Sequence, residues 1–185
     1  MSRQAAPKAN AATPSALGYP VSAIPALQVL RADYADPVHA RALVSLLDAY
    51  AQDPAGGGKA LSEYAKTHLM QSLAARPQAF SVLAFAGELA VGLVNCFEGF
   101  STFQCRALVN VHDVAVLASH RGQRVAQKML ALAELIARER GACKLTLEVL
   151  QGNRSARRLY ERFGFAGYEL DPALGQAQFL QKWLG

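Results

Sequence analysis

Apolar positions recur along this chain in two rhythms, one of period two and one near 3.6. Leu27-Gln28-Val29-Leu30-Arg31 is a short run that predicts a strand. Asp36 followed by Pro37 marks a helix start, the carboxylate serving as N-cap and the proline sitting where its missing N–H costs nothing. Leu43, Leu46, Leu47 and Tyr50 continue that helix on one face. Asp53-Pro54-Ala55-Gly56-Gly57-Gly58 breaks the pattern, and a second helix runs through Tyr64, Leu69 and Leu73 to Arg76-Pro77. Phe80 to Ala86 and Leu89 to Phe97 flank Gly87-Glu88 as a hairpin, and a further strand fits Ala107 to Leu117.

The longest helical pattern follows. Val125, Met129, Leu132 and Ile136 fall at i, i+4, i+7 and i+11, with Gly141 placed to stop the helix. Leu145, Leu147 and Val149 alternate with Thr146 and Glu148, which predicts a half-buried strand. Asn153 caps a short helix carrying Ala156, Leu159, Tyr160 and Phe163 on its inner side, ended by Gly164, and Gln178 to Leu184 closes as a last strand. The predicted order is β-α-α-β-β-β-α-β-α-β-β, a mixed α/β (α+β) domain.

Composition narrows the class. With 185 residues, 52% of them apolar, the chain suits one well-cored domain and is short for two. No apolar run approaches the ~18 residues of a spanning helix, so no membrane association is expected. Cys96, Cys105 and Cys143 are odd in number and form no CxxC pair, which argues against a disulfide framework or a metal site and for a reducing, cytoplasmic setting. Residues 1–26 carry no acid, eight alanines and four of the eight prolines. They read as a flexible N-terminal arm rather than a secretory signal, leaving 27–185 as the single domain. The positive charge is local. Ten basic and four acidic residues between Arg121 and Arg162 give that window +6, against +5 for the whole chain. Such a field suits phosphates; nucleic acid is not expected, because no aromatic stacking surface accompanies the charge.

Chemistry is written in two segments. Val114 to Val116 leads through a turn containing Arg121 and Gly122 into the long helix. The unpaired N–H groups and partial positive charge of a helix start can take a pyrophosphate, and Arg121, Arg124 and Lys128 add full charges. Arg121-Gly122-Gln123-Arg124-Val125-Ala126 resembles the acetyl-coenzyme A motif of the GCN5-related N-acetyltransferase (GNAT) superfamily, Gln/Arg-x-x-Gly-x-Gly/Ala, at its first and last positions; Arg124 stands where that motif has glycine. The second motif, Asn-x-x-Ala-x-x-Leu-Tyr-x-x-x-Gly-Phe, is matched by Asn153, Ala156, Leu159, Tyr160, Gly164 and Phe165.

The resemblance implies a mostly antiparallel central sheet flanked by helices, and acetyl transfer from acetyl-CoA to a primary amine. It places the backbone of Val114, Ala115 and Val116 at the thioester, and Arg121, Gly122, Gln123, Arg124, Val125, Ala126 and Gln127 at the pyrophosphate, with Asn153, Ala156 and Tyr160 also on the cofactor. Tyr160 becomes the acid for the departing thiolate, although the same spacing suits an ordinary core aromatic. His112 and Asp113 are the leading candidates for the base or the cation anchor, with Glu148 behind them. Strand alternation sends His112 and Asp113 to opposite faces unless a bulge intervenes. Tyr50, Asp53, Gly56 to Gly58, Glu98 and Phe100 to Phe103 are candidates for the acceptor cleft. A small-molecule amine is the expected acceptor, with a protein N-terminus or lysine, or a non-catalytic acyl-CoA module, as alternatives. Relatives often dimerise, which makes a homodimer the assembly to test.

Overall fold

Five strands line up in chain order to form one sheet: β1 (Leu27–Arg31), β2 (Ala79–Ala86), β3 (Leu89–Ser101), β4 (Arg106–Val116) and β5 (Leu145–Leu147). The computed structural model describes residues 26–168 and, in the tail, 171, 173, 175 and 177–184. The predicted arm, apart from Ala26, lies outside the described residues. Strands β1 to β4 pair antiparallel and β5 joins β4 in parallel. The helices are α1 (Pro37–Gln52), α2 (Glu63–Ala74), α3 (Val125–Glu139) and α4 (Arg154–Phe163), and short 3-10 turns cover Pro54–Gly56 and Ala118–His120. Among the described residues no helix is long and apolar enough to cross a membrane.

The sheet is buried on both faces by alternation. Val82, Val94, Cys96, Val109 and Val111 pack against Val125, Met129, Ala133 and Ile136 of α3. Leu83, Leu93 and Ala115 pack on the other face against Leu43, Leu46 and Leu73 of α1 and α2. Gly92 lets the start of α3 approach closely: a Cβ there would lie 2.7 Å from Met129 Cε and 3.1 Å from Val125 Cγ1. A side chain at Gly92 would have to displace the end of Met129, so the glycine lets the helix start pack directly on β3.

Two features depart from the predicted order. Among the described residues no strand follows α4, and 178–184, predicted as the last strand, have no regular structure. Phe179-Leu180 and Trp183-Leu184 arrive as adjacent pairs rather than alternately, so any strand made from them would carry apolar groups on both faces. All four are well exposed. The second departure is β5, which stops at Leu147 instead of reaching Val149. Its parallel pairing with β4 ends at Val111, where β4 bulges and its register changes.

Candidate functional site

Strands β4 and β5 part company at one point, and the site is built around it. Asn95 pairs with Asp113 but Cys96 pairs with Val111, so His112 is the extra residue of a β-bulge. The bulge inverts the facing of everything after it. Val111 packs on the α3 side, whereas Ala115 packs on the α1 side. A bulge therefore intervenes between His112 and Asp113, and alternation no longer sends the two to opposite faces. His112 sets its ring edge-on to Phe97, centroids 5.3 Å apart, and Asp113 accepts a hydrogen bond from Asn95 Nδ2 at 3.0 Å. Phe97 belongs to the α1-side cluster, and both side chains look toward that face.

Among the described residues, β4 has no parallel neighbour beyond the bulge. Leu117 turns its N–H to β3, donating to Val91 O at 2.9 Å, while Val116 turns its carbonyl away to accept from Arg121 Nε at 3.1 Å. Alternation along the strand puts the N–H groups of Val114 and Val116 on that same open side.

A cleft of about 1120 Å³ runs along this open edge. The start of α3 forms one wall. Its first helical hydrogen bond is donated by Lys128 to Arg124 O, and no side chain caps it, so the N–H groups ahead of Lys128 have no partner within the helix. Arg124 sits at the N-cap with φ 60°, the left-handed region that favours glycine. Gly122, also left-handed at φ 79°, has open space where a side chain would be. The start of α4 forms the facing wall, capped by Asn153 Oδ1, which accepts from Ala156 N at 3.2 Å.

Of the residues expected at the cofactor, Val114, Ala115, Val116, Arg121, Gly122, Arg124, Val125, Ala126, Gln127, Asn153, Ala156 and Tyr160 line this cleft. Gln123 does not; its amide folds back to donate to Ser119 O at 3.2 Å. The residues present fit a pyrophosphate: unpaired N–H groups, a glycine with open space and the side chains of Arg121 and Arg124 meet at one helix start.

Tyr160 is buried at the inner end and packs edge-on to Phe165. Burial, with Tyr50 nearby, pushes its phenol up to about 12. Tyr50 is raised as well, by burial first and then by the charges of Asp113 and Asp53. Asp53 is held below the usual carboxylate range by Arg121 and by the Ala55 N–H. Tyr50, Asp53 and Tyr160 thus line the cleft, whereas His112 and Asp113 do not; Asp113 lies near enough for its charge to act on Tyr50.

Other acceptor candidates lie elsewhere. Glu98 pairs with Arg140 at 3.1 Å, and Phe100 and Phe103 are exposed on the β3–β4 hairpin. Glu148 accepts from Asn110 Nδ2 at 3.2 and 3.3 Å beside the β4–β5 edge. Arg158 and Arg162 are arginines of the cleft that the sequence reading did not assign to the site. Their signal was the i, i+4, i+8 stripe Arg154, Arg158, Arg162, a line of charge along one face of α4.

Comparison with known proteins adds an independent line. The model of the acetyltransferase (GNAT) family matches residues 40–165. A streptothricin acetyltransferase of Streptomyces lavendulae is 37% identical over 91 residues, 48% of each chain, so the match spans about half the length of that relative. Among solved structures, one described as a probable acetyltransferase superposes with a TM-score of 0.70 at 22% identity, covering 84% of this chain and 98% of the other. The structure of AAC(6')-Iy in complex with a CoA-containing bisubstrate analog superposes at 0.68 with 15% identity, covering 85% and 99%. At those identities the structures speak for the fold alone.

Proposed function

The chain belongs to the acetyltransferase (GNAT) family, and from that premise we propose that it transfers the acetyl group of acetyl-CoA to a primary amine of a small molecule. The observation that carries this reading is the convergence of the uncapped α3 start, the open edge of β4 and buried Tyr160 on one cleft. The streptothricin acetyltransferase relative supports a small-molecule acceptor over a protein N-terminus or lysine.

Acetyl-CoA supplies an activated thioester, and the chain supplies everything else. The α3 turn from Gly122 to Gln127 holds the pyrophosphate through backbone N–H groups, helped by the positive side chains around it. The N–H groups of Val114 and Val116 face the thioester oxygen, where donors already in place stabilise the charge that develops during attack. An ammonium must lose a proton before it can attack. His112, exposed beside the bulge, takes that proton, and Asp113 holds the acceptor's positive charge. Tyr160, kept protonated by burial, donates to the departing sulfur.

Thiol release from acetyl-CoA, followed over a panel of small-molecule amines and peptides, tests the reading. We expect release matched one-to-one by acetylated product with cationic small molecules. Transfer confined to peptide N-termini or lysines, or no transfer at all, would overturn it.

A further inference from the structure

The core contains a polar thread that leads to the bulge. Ser81 on β2 is fully buried and Asn95 on β3 is 3% exposed, each flanked along its strand by buried apolar residues, Phe80 and Val82 in one case and Val94 and Cys96 in the other. Burying a hydroxyl and an amide costs stability unless each is hydrogen-bonded, and here each is. Asn95 Nδ2 donates to Asp113 Oδ2 at 3.0 Å. That fixes the amide's orientation, leaving Asn95 Oδ1 as acceptor for Ser81 Oγ at 2.6 Å. Ser81 has one hydroxyl hydrogen and it is used there, so its oxygen accepts from Tyr34 Oη at 2.9 Å. Every donor in the series points toward Asp113, and an ionised carboxylate is the terminus that completes it.

The sheet places these groups in line. Ser81 and Asn95 are directly paired across β2 and β3, and Asn95 and Asp113 across β3 and β4. A one-residue change in the β4 register would turn Asp113 to the other face, and the bulge at His112 prevents it. Burial raises the Tyr34 phenol, in keeping with a tyrosine that stays protonated as the outer donor.

We propose that Asn95, Ser81 and Tyr34 are positioning residues: they hold the Asp113 carboxylate, through a one-directional hydrogen-bond chain, in the orientation that receives the acceptor's positive charge. The use made of the chain rests on the acetyltransferase reading above; the existence of the chain does not. Tyr34→Phe and Ser81→Ala each remove one hydroxyl with little change of shape, and Asp113→Asn removes the terminal charge.

Two readouts decide the matter. First, without any substrate, the Asp113 side-chain carboxyl resonance is followed by carbon NMR. It is expected to move in Ser81→Ala, and an unmoved resonance overturns the proposal. Second, steady-state kinetics are measured with an amine that the parent protein acetylates. Ser81→Ala is expected to raise the acceptor KM roughly three- to tenfold with the acetyl-CoA Kd unchanged. Tyr34→Phe should do the same more weakly. In the Asp113→Asn background, Ser81→Ala should add nothing, because its effect runs through Asp113. Unchanged acceptor KM, equal losses in both substrates, or additive losses in the double variant would overturn the proposal. If the parent protein acetylates no amine, the acetyltransferase reading fails, while the carboxyl resonance still decides whether the chain holds Asp113.

Discussion

Arg121 and Asp53, both lining the cleft, are joined: Arg121 Nη2 donates to Asp53 Oδ2 at 2.8 Å while Arg121 Nε donates to Val116 O. The pair ties the turn after α1 to the end of β4, joining residues 68 positions apart. Asp53 also caps that turn, accepting from Ala55 N at 2.9 Å. Arg121 is therefore already engaged when a pyrophosphate arrives, and Asp53 competes for its charge. Asp53→Asn is expected to tighten acetyl-CoA binding a few-fold at low ionic strength, with the gain shrinking in high salt. Calorimetry at two salt concentrations measures it; weaker binding in the variant would show that Asp53 orients Arg121 for the ligand.

Arg124 predicts two effects of opposite sign. Its left-handed backbone costs about 1 kcal/mol that glycine would not incur. Its side chain lines the cleft and makes no ion pair among the described residues. Arg124→Gly should raise the melting temperature by roughly 2–4 °C yet weaken acetyl-CoA binding. Thermal melts and titrations on the same sample separate the two, and tighter binding would mean that the arginine obstructs the site.

Tyr160→Phe is expected to lower turnover by about a hundredfold or more without altering acetyl-CoA affinity. Because burial moves the phenol from 10.0 to about 12, Tyr160 contributes no basic limb to the activity profile in the pH 7–9 range. It does contribute to stability. A phenol held protonated by the fold stabilises fully below its unfolded value of 10.0, and that contribution is lost as pH rises toward about 12. Cys96, pushed by burial from 9.0 to about 12, acts in the same direction from a lower starting point. Denaturant titrations should show stability falling steadily above pH 9, and less steeply above pH 10 in Tyr160→Phe. A stability flat to pH 12 would contradict this.

His112→Gln should reduce kcat by about a hundredfold or more. The defect should narrow as the solution pH approaches the acceptor's own pKa, where neutral amine is present without a base. A loss that stays constant across that range would make His112 a positioning group only.

Gly56 allows no side chain where it stands. A Cβ would lie 2.0 Å from Tyr50 O and 2.8 Å from Tyr50 C, both rigid backbone. Gly56→Ala should displace the Asp53 turn, cost about 1–3 kcal/mol and break the Arg121 pair. A variant with parental stability would show that the turn can shift freely.

What the sequence disclosed was local. The Asp36 and Asn153 caps, the Gly87-Glu88 hairpin and the α3 face were legible because each depends on neighbours within a few residues. The whole cofactor wall follows from such features, since it is made of two helix starts and one strand end. The bulge was not legible. It exists only as a mismatch between Asn95-Cys96 and Val111-His112-Asp113, and no pattern within β4 reveals which partner residues it will meet. The Tyr34–Ser81–Asn95 thread and the Asp53–Arg121 pair were hidden for the same reason, being contacts between distant segments. The tail shows the converse error: apolar content over Gln178 to Leu184 suggested a strand where alternation was missing.

Calorimetric titration of the purified chain with acetyl-CoA tests the central claim most directly. The arrangement of α3, β4 and α4 predicts saturable binding at one site per chain, weakened by Arg124→Gly and left intact by Tyr160→Phe. No binding, or binding indifferent to Arg124, would contradict the assignment of this cleft as the acetyl-CoA site.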